Sequence, residues 1–301
     1  MNFKNFAELI ELKAKTASIF PFLLGLGYSL YHYHKANLLP LLVYFVAMFM
    51  FNCFVDIWDN YNDYHNAVDT ADYQKNTNII GREGLSLGLI KGLLAFFFFG
   101  SLLLGLLVAF WTGWAVFWLG LICYAVGIFY AGGPKPLSSL PLGELLSGLT
   151  MGYLIFLICL YINTFGTFVW SWATLGTTFL IALPNVLLIA NLMLANNTCD
   201  LEEDEANQRF TIVHYIGKSG ALLWWKIALI LAFVAVILGV LLDLLAPISL
   251  AIVLLVPLMV KFARPYLKKQ VKRETFICSV KILMVFQLAQ VVLLFMGLIK
   301  F

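Results

Sequence analysis

Apolar residues run along this chain in long, nearly unbroken stretches separated by short polar intervals. An α-helix needs about 20 mostly apolar residues to cross the hydrocarbon core of a bilayer. Nine stretches meet that length and are predicted as membrane helices, near residues 17–34, 38–58, 87–110, 113–131, 142–162, 173–195, 221–243, 246–263 and 276–299. Connections as short as Trp111-Thr-Gly-Trp114 and Leu245-Ala-Pro247 predict antiparallel helical hairpins. The expected fold is all-α, a polytopic membrane bundle of about nine transmembrane helices. No loop is long enough to form a separate domain, so residues 1–301 are read as one transmembrane domain.

Composition agrees with the pattern. Hydrophobic residues make up 62% of the chain and charged residues only 12%, with a mean hydropathy of +0.92. A soluble domain carries about 25% charged residues, so the remaining polar material is too little to coat a water-facing surface. Residues 1–16 are mixed in charge and lack a small-residue cleavage site, which predicts that the first span is retained. The five cysteines are scattered singly with no C-x-x-C pair, so neither a disulfide framework nor a zinc site is expected. A net charge of +3 gives no reason to expect nucleic acid as a partner; the expected surroundings are membrane lipid.

The basic residues set the orientation. With nine spans, 17 of the 19 Lys and Arg residues fall on the side of the N-terminus, leaving only Lys35 and Lys300 on the other. The positive-inside rule makes the first side cytoplasmic. The chain is therefore expected in the cell membrane with its N-terminus in the cytoplasm.

On that same side lie ten of the sixteen acidic residues, in two short stretches. The first runs from Asn52 through Asp56, Asp59 and Asp63 to Asp69 and Asp72; the second is Asn196-Asn197-Thr-Cys-Asp200-Leu-Glu-Glu-Asp204-Glu. Both open with Asn-x-x-x-Asp, 144 residues apart, and both end an apolar helix. Asn52, Asp56, Asp59 and Asp63 share one helical face, as do Asn196, Asp200 and Asp204. Carboxylates one turn apart repel, and a cation removes the penalty. Hard oxygen donors suit Mg²⁺, which binds one or two carboxylates together with substrate phosphates. The expected active site is thus at the cytoplasmic side, with Asp56, Asp59, Asp63, Asp200 and Asp204 as metal ligands and catalytic residues. Asn52, Asn196 and Asn197 join them toward substrate, and Lys15, Arg82, Lys135 and Arg209 are the basic residues expected to meet phosphate.

These elements resemble the UbiA superfamily of intramembrane prenyltransferases, and within it the 1,4-dihydroxy-2-naphthoate polyprenyltransferases of menaquinone synthesis. Four stretches carry the resemblance: Lys13-Ala-Lys15-Thr16 with Pro21; Asp56-x-x-Asp59-x-x-x-Asp63; Tyr130-Ala-Gly-Gly-Pro-Lys135-Pro-Leu137 with Gly143-Glu144; and Asn196-Asn197-x-x-Asp200-x-x-x-Asp204 with Arg209 and Thr211. The chain departs from the family pattern at Ala14, Val55, Cys199 and Phe210. The resemblance implies Mg²⁺-dependent transfer of a polyprenyl group from an all-trans polyprenyl diphosphate to an aromatic acceptor. With 1,4-dihydroxy-2-naphthoate the transfer proceeds with decarboxylation and gives demethylmenaquinone. Tyr130 is expected near the cation or a phosphate. Other acceptors in the superfamily are 4-hydroxybenzoate, homogentisate and porphyrins.

A secondary transporter is the competing class, because intramembrane acids often line ion paths; such sites, however, lie near the midplane. Elsewhere, Asn60 to Gly84 is expected as a polar loop able to cover the diphosphate, with Asp69 and Asp72 solvated. His32 and His34 are expected at the outer interface, and His65 and His214 carry no sequence support for catalysis. The Phe96–Phe99 run is expected to face lipid, and the Lys268–Arg273 cluster to touch anionic headgroups.

Overall fold

The computed structural model describes residues 1–66 and 73–299; Asp69, Asp72 and Lys300 lie outside the described residues. Eight helices among the described residues are long and apolar enough to cross a membrane. The remaining expected span is helical too, as α2 (Thr16–Tyr28) continued by a wider π-type turn at Ser29–Tyr33. Tyr28, Tyr31, His32 and Tyr33 dilute its apolar character, which is why it falls outside that set.

The chain divides into two compact units. The first comprises Met1–Thr16 and Leu38–Leu137. It contains the short α1 (Phe3–Leu9), the long α3 (Leu38–Asn66), the single turn α4 (Ile79–Arg82), and the hairpin of α5 (Leu87–Thr112) and α6 (Trp114–Ala131). Its core is built from Leu9, Ile10, Cys53, Phe54, Ile57, Ile79, Ile80, Ile90, Leu94 and Phe97. Cys53, Phe54 and Ile57 are the apolar face of the stretch of α3 that carries the first acidic column. Burying that face fixes the direction of the column. The Phe96–Phe99 run splits: Phe96 and Phe99 face outward, whereas Phe97 is buried and stacks with Phe6. A helix turns by 100° per residue, so four consecutive phenylalanines cannot all meet lipid.

The second unit comprises Ala17–Asn37 and Ser138–Phe301. After α2 come α7 (Gly143–Ser147), a π-type stretch at Gly148–Leu154, and α8 (Ile155–Thr164), which together form one span. α9 (Trp172–Cys199) is followed by α10 (Leu201–Ala206), α11 (Ile212–Leu241), a 3₁₀ stretch at Pro247–Leu255 that leads into α12 (Val256–Lys268), and α13 (Phe276–Met296). Helices in lipid gain little from hydrophobic burial against each other and rely on close backbone approach. Gly148 and Gly152 supply that approach here. A Cβ on Gly148 would stand 2.5 Å from the Val186 carbonyl oxygen, and one on Gly152 2.6 Å from the Val186 nitrogen. The Gly-x-x-x-Gly face of this span is therefore in direct backbone contact with α9, just past its internal Pro184.

Candidate active site

In the first unit, α3 carries Asn52, Asp56, Asp59 and Asp63 on one uninterrupted helix, as the spacing predicts. The helix runs further than expected, to Asn66, and α4 follows at Ile79–Arg82, so the ends of the proposed Asn60–Gly84 loop are helical. Lys15 reaches this column from the turn before α2. Its ammonium is 1% exposed and donates to the Asn52 carbonyl at 3.0 Å, to Asn52 Oδ1 at 2.7 Å and to Asp56 Oδ2. Asp59 and Asp63 are half-buried further along the helix. Side-chain amides tie this end of the unit together: Asn60 donates to the Asp56 carbonyl, and Asn78 donates to the Asn60 carbonyl while capping α4.

Arg82 is engaged elsewhere. It pairs with Glu8 at 2.6 Å and Glu83 at 3.2 Å, about a third exposed. Tyr130 is half-buried in the last turn of α6, and Lys135 is exposed in the turn that follows. The first glycine of that turn has a packing reason: Trp58, beside Asp59, donates to the Ile128 carbonyl at 3.0 Å, and a Cβ on Gly132 would stand 2.7 Å from the indole nitrogen; the second, Gly133, turns the chain at φ +93°. The Tyr130–Leu137 stretch is thereby docked on the helix that carries the first motif.

In the second unit the column is less regular than its spacing predicts. α9 ends at Cys199, Asp200 adopts φ −99° and ψ 9°, and α10 starts at Leu201. The Asp204 amide still donates to the Asp200 carbonyl at 2.8 Å, so the two residues stay one turn apart. Sequence reasoning missed the residue that meets this motif. Lys272, assigned to lipid headgroups with its neighbours, donates instead to Asn196 Oδ1 and Asp200 Oδ2. Asn197 points differently and gives its amide to the buried Glu144 at 2.8 Å. Glu144 was visible only as part of the Gly143-Glu144 likeness. His214 pairs with Glu205 at 2.7 Å.

Asp204 is buried, with Arg209 Nε 3.3 Å from its Oδ1. Its other oxygen, Oδ2, has no hydrogen-bond partner among the described residues. Burial pushes its carboxyl up to about 6, a rise that Arg209 only partly offsets. The folded chain keeps this proton in a range where an unfolded aspartate, titrating near about 3.9, has lost it. The metal-free protein is therefore expected to lose stability as pH rises from about 4 to about 6. Asp204→Asn should flatten that slope. Thermal unfolding in EDTA across this range checks both.

Among the described residues no three His, Cys, Asp or Glu side chains converge into a ready-made metal cage. What the chain offers is oxygen donors in pairs. Each Asn-x-x-x-Asp element presents an amide and a carboxylate oxygen to one cationic group, and Asp204 adds a buried carboxylate oxygen without a hydrogen bond. All of these are hard donors, which fit Mg²⁺.

These features define a multi-pass α-helical membrane protein with two amide–carboxylate motifs, one within α3 and one at the end of α9. The sequence matches the UbiA prenyltransferase family over residues 18–285, and the chain belongs to that family. It is accordingly a prenyltransferase, and the match overturns the transporter reading. It is 29% identical over 230 residues to a 1,4-dihydroxy-2-naphthoate octaprenyltransferase of Bacillus subtilis (strain 168), covering 76% of this chain and 71% of that one. Among solved structures, a UbiA homologue from Aeropyrum pernix K1 superposes with a TM-score of 0.69 at 18% identity, covering 92% of this chain and 96% of that one. A UbiA homologue from Archaeoglobus fulgidus, bound to DMAPP and Mg²⁺, gives 0.63 at 14% identity, covering 96% and 99%. At these identities the two structures speak for the fold.

Proposed function

We propose that this protein transfers a polyprenyl group from an all-trans polyprenyl diphosphate to 1,4-dihydroxy-2-naphthoate with loss of CO₂, giving the hydroquinone form of demethylmenaquinone. The observation that carries the diphosphate half is the repeated Asn–Asp pair, each already holding a cationic group. The acceptor rests on the Bacillus subtilis relative and on the Tyr130–Leu137 stretch. Asp56, Asp59, Asp63, Asp200 and Asp204 would hold Mg²⁺, the ion found with DMAPP in the Archaeoglobus fulgidus homologue. When bound, Mg²⁺ neutralises diphosphate oxygens and stabilises the charge that develops on the leaving group.

The chain's own residues do the rest. Lys15 and Arg209 supply fixed positive charge beside the motifs, and Asn52 and Asn196 orient the carboxylates. The apolar helices accommodate the prenyl tail. The allylic C–O bond breaks with its electron pair leaving on the diphosphate. The allylic carbon is then attacked by the ring carbon that bears the carboxylate, and the electrons of the C–CO₂⁻ bond restore the aromatic ring as CO₂ departs. No proton need be removed from the attacked carbon. A site that excludes water protects the allylic cation from quenching. The excess of basic residues on the side of the N-terminus supports a cytoplasmic location for both motifs.

Purified protein in detergent, given 1,4-dihydroxy-2-naphthoate, an all-trans polyprenyl diphosphate and Mg²⁺, is expected to yield this hydroquinone, which air oxidises to demethylmenaquinone before detection by mass spectrometry. EDTA should abolish the product. Mg²⁺-dependent diphosphate release with 4-hydroxybenzoate or homogentisate, but not with the naphthoate, would change the acceptor and keep the chemistry.

A further inference from the structure

Two lysines from distant parts of the chain make the same arrangement. Lys15 precedes its motif by 37 residues and bridges Asn52 Oδ1 and Asp56 Oδ2. Lys272 follows Asp200 by 72 residues and bridges Asn196 Oδ1 and Asp200 Oδ2. The atoms bridged are equivalent, but the settings are not. Lys15 is sealed at 1% exposure, whereas Lys272 is 44% exposed on the short connection between α12 and α13. A half-exposed lysine side chain can leave its partners at small cost; a sealed one cannot.

We propose that Lys272 is a positioning residue of the second motif. In the metal-free enzyme its ammonium holds Asn196 Oδ1 and Asp200 Oδ2 together, and it yields both oxygens to the divalent cation when that cation binds. The proposal rests on the Mg²⁺ reading given above. Asp200, Glu202, Glu203 and Asp204 crowd negative charge into little more than one helical turn, which an exchangeable cation offsets until the metal arrives. Ammonium and metal need the same two oxygens, so they compete. Removing the competitor should tighten metal binding while weakening the metal-free fold. A lysine that only braced the structure would weaken both.

The test is Mn²⁺ binding to the purified protein, read from the electron paramagnetic resonance signal of the free ion, alongside thermal unfolding in EDTA. Lys272→Met is expected to bind Mn²⁺ about fivefold more tightly than the unmodified protein. It should melt at a lower temperature in EDTA, with the loss recovered at saturating Mn²⁺. Lys272→Gln, which keeps a donor without the charge, serves if the Met variant does not fold. Lys272→Arg keeps the cation and should keep the original affinity. Lys269→Met removes a lysine of the same connection that pairs with Glu274 at 3.1 Å, and should leave Mn²⁺ binding unchanged. Unchanged or weaker Mn²⁺ affinity in both Lys272→Met and Lys272→Gln overturns the proposal alone. Absence of Mn²⁺ binding in the unmodified protein overturns it together with the metal reading on which it rests.

Discussion

Asp56→Asn is expected to lower turnover by about a thousandfold while the protein stays folded, because it removes one of the carboxylates proposed to hold Mg²⁺ and keeps the shape. The choice of Asn is dictated by Lys15. Its ammonium is almost wholly enclosed and spends its hydrogen bonds on Asn52 and Asp56. Asn at position 56 still offers an oxygen to that ammonium. Asp56→Ala leaves a buried cation without its counter-ion, a loss of about 3–5 kcal/mol, and its inactivity would reflect unfolding as much as chemistry. Steady-state turnover with a melting curve for each variant separates the two effects. Turnover of Asp56→Asn within tenfold of the unmodified enzyme would remove Asp56 from the reaction.

Gly152→Leu is expected to abolish folding of the second unit, seen as loss of a monodisperse peak in detergent. The hypothetical Cβ meets only backbone: the Val186 nitrogen and Cα at 2.6 and 2.7 Å and the Asn185 carbonyl carbon at 2.8 Å. Backbone cannot rotate away as a side chain does. Even Gly152→Ala must push the two helices apart, at a cost of about 1–3 kcal/mol. Gly105, in α5, is the control, since a Cβ there meets nothing within 4 Å. Gly105→Ala should be neutral or slightly stabilising through helix propensity. A stable Gly152→Leu protein would mean that the Gly148–Gly152 face is not a packing surface.

The sequence makes the acidic columns legible because helical spacing is local: Asn52, Asp56, Asp59 and Asp63 need only one continuous helix to align, and α3 provides it. The second column is legible in its residues but not in its backbone, since nothing in Asn196–Asp204 announces a helix break at Asp200. Hydropathy finds the spans, and it is weakest at the first, where the tyrosines and the histidine of residues 28–33 dilute the apolar run. Lys272 was out of reach for a different reason. It lies far from its partners along the chain, within a basic cluster that topology already explains, so its contact with Asn196 and Asp200 exists only in three dimensions. Lys15 is legible as a basic residue on the side of the motifs and as part of the family's opening motif, but nothing in the sequence signals that it meets Asn52. The π-type stretch beside Gly152 had no sequence signature beyond the two glycines, whose close approach depends on a helix more than 30 residues away.

The length of α3 has a bearing on the bilayer itself. At about 1.5 Å per residue, Asp56 stands about 27 Å along the axis from Leu38, and Asp63 about 38 Å. The hydrocarbon interior is about 30 Å thick. With Leu38 at the opposite edge of the hydrocarbon layer and the helix upright, the column would straddle the boundary between acyl chains and headgroups, its first carboxylate at the oily edge and its last among the phosphates. An amphiphilic donor lying in the leaflet has its own phosphates at that same depth. On the proposed function, substrate and carboxylates would share a level without either crossing into the other's solvent, and the thickness of the host membrane would become a dimension of the enzyme, as much as any distance inside it.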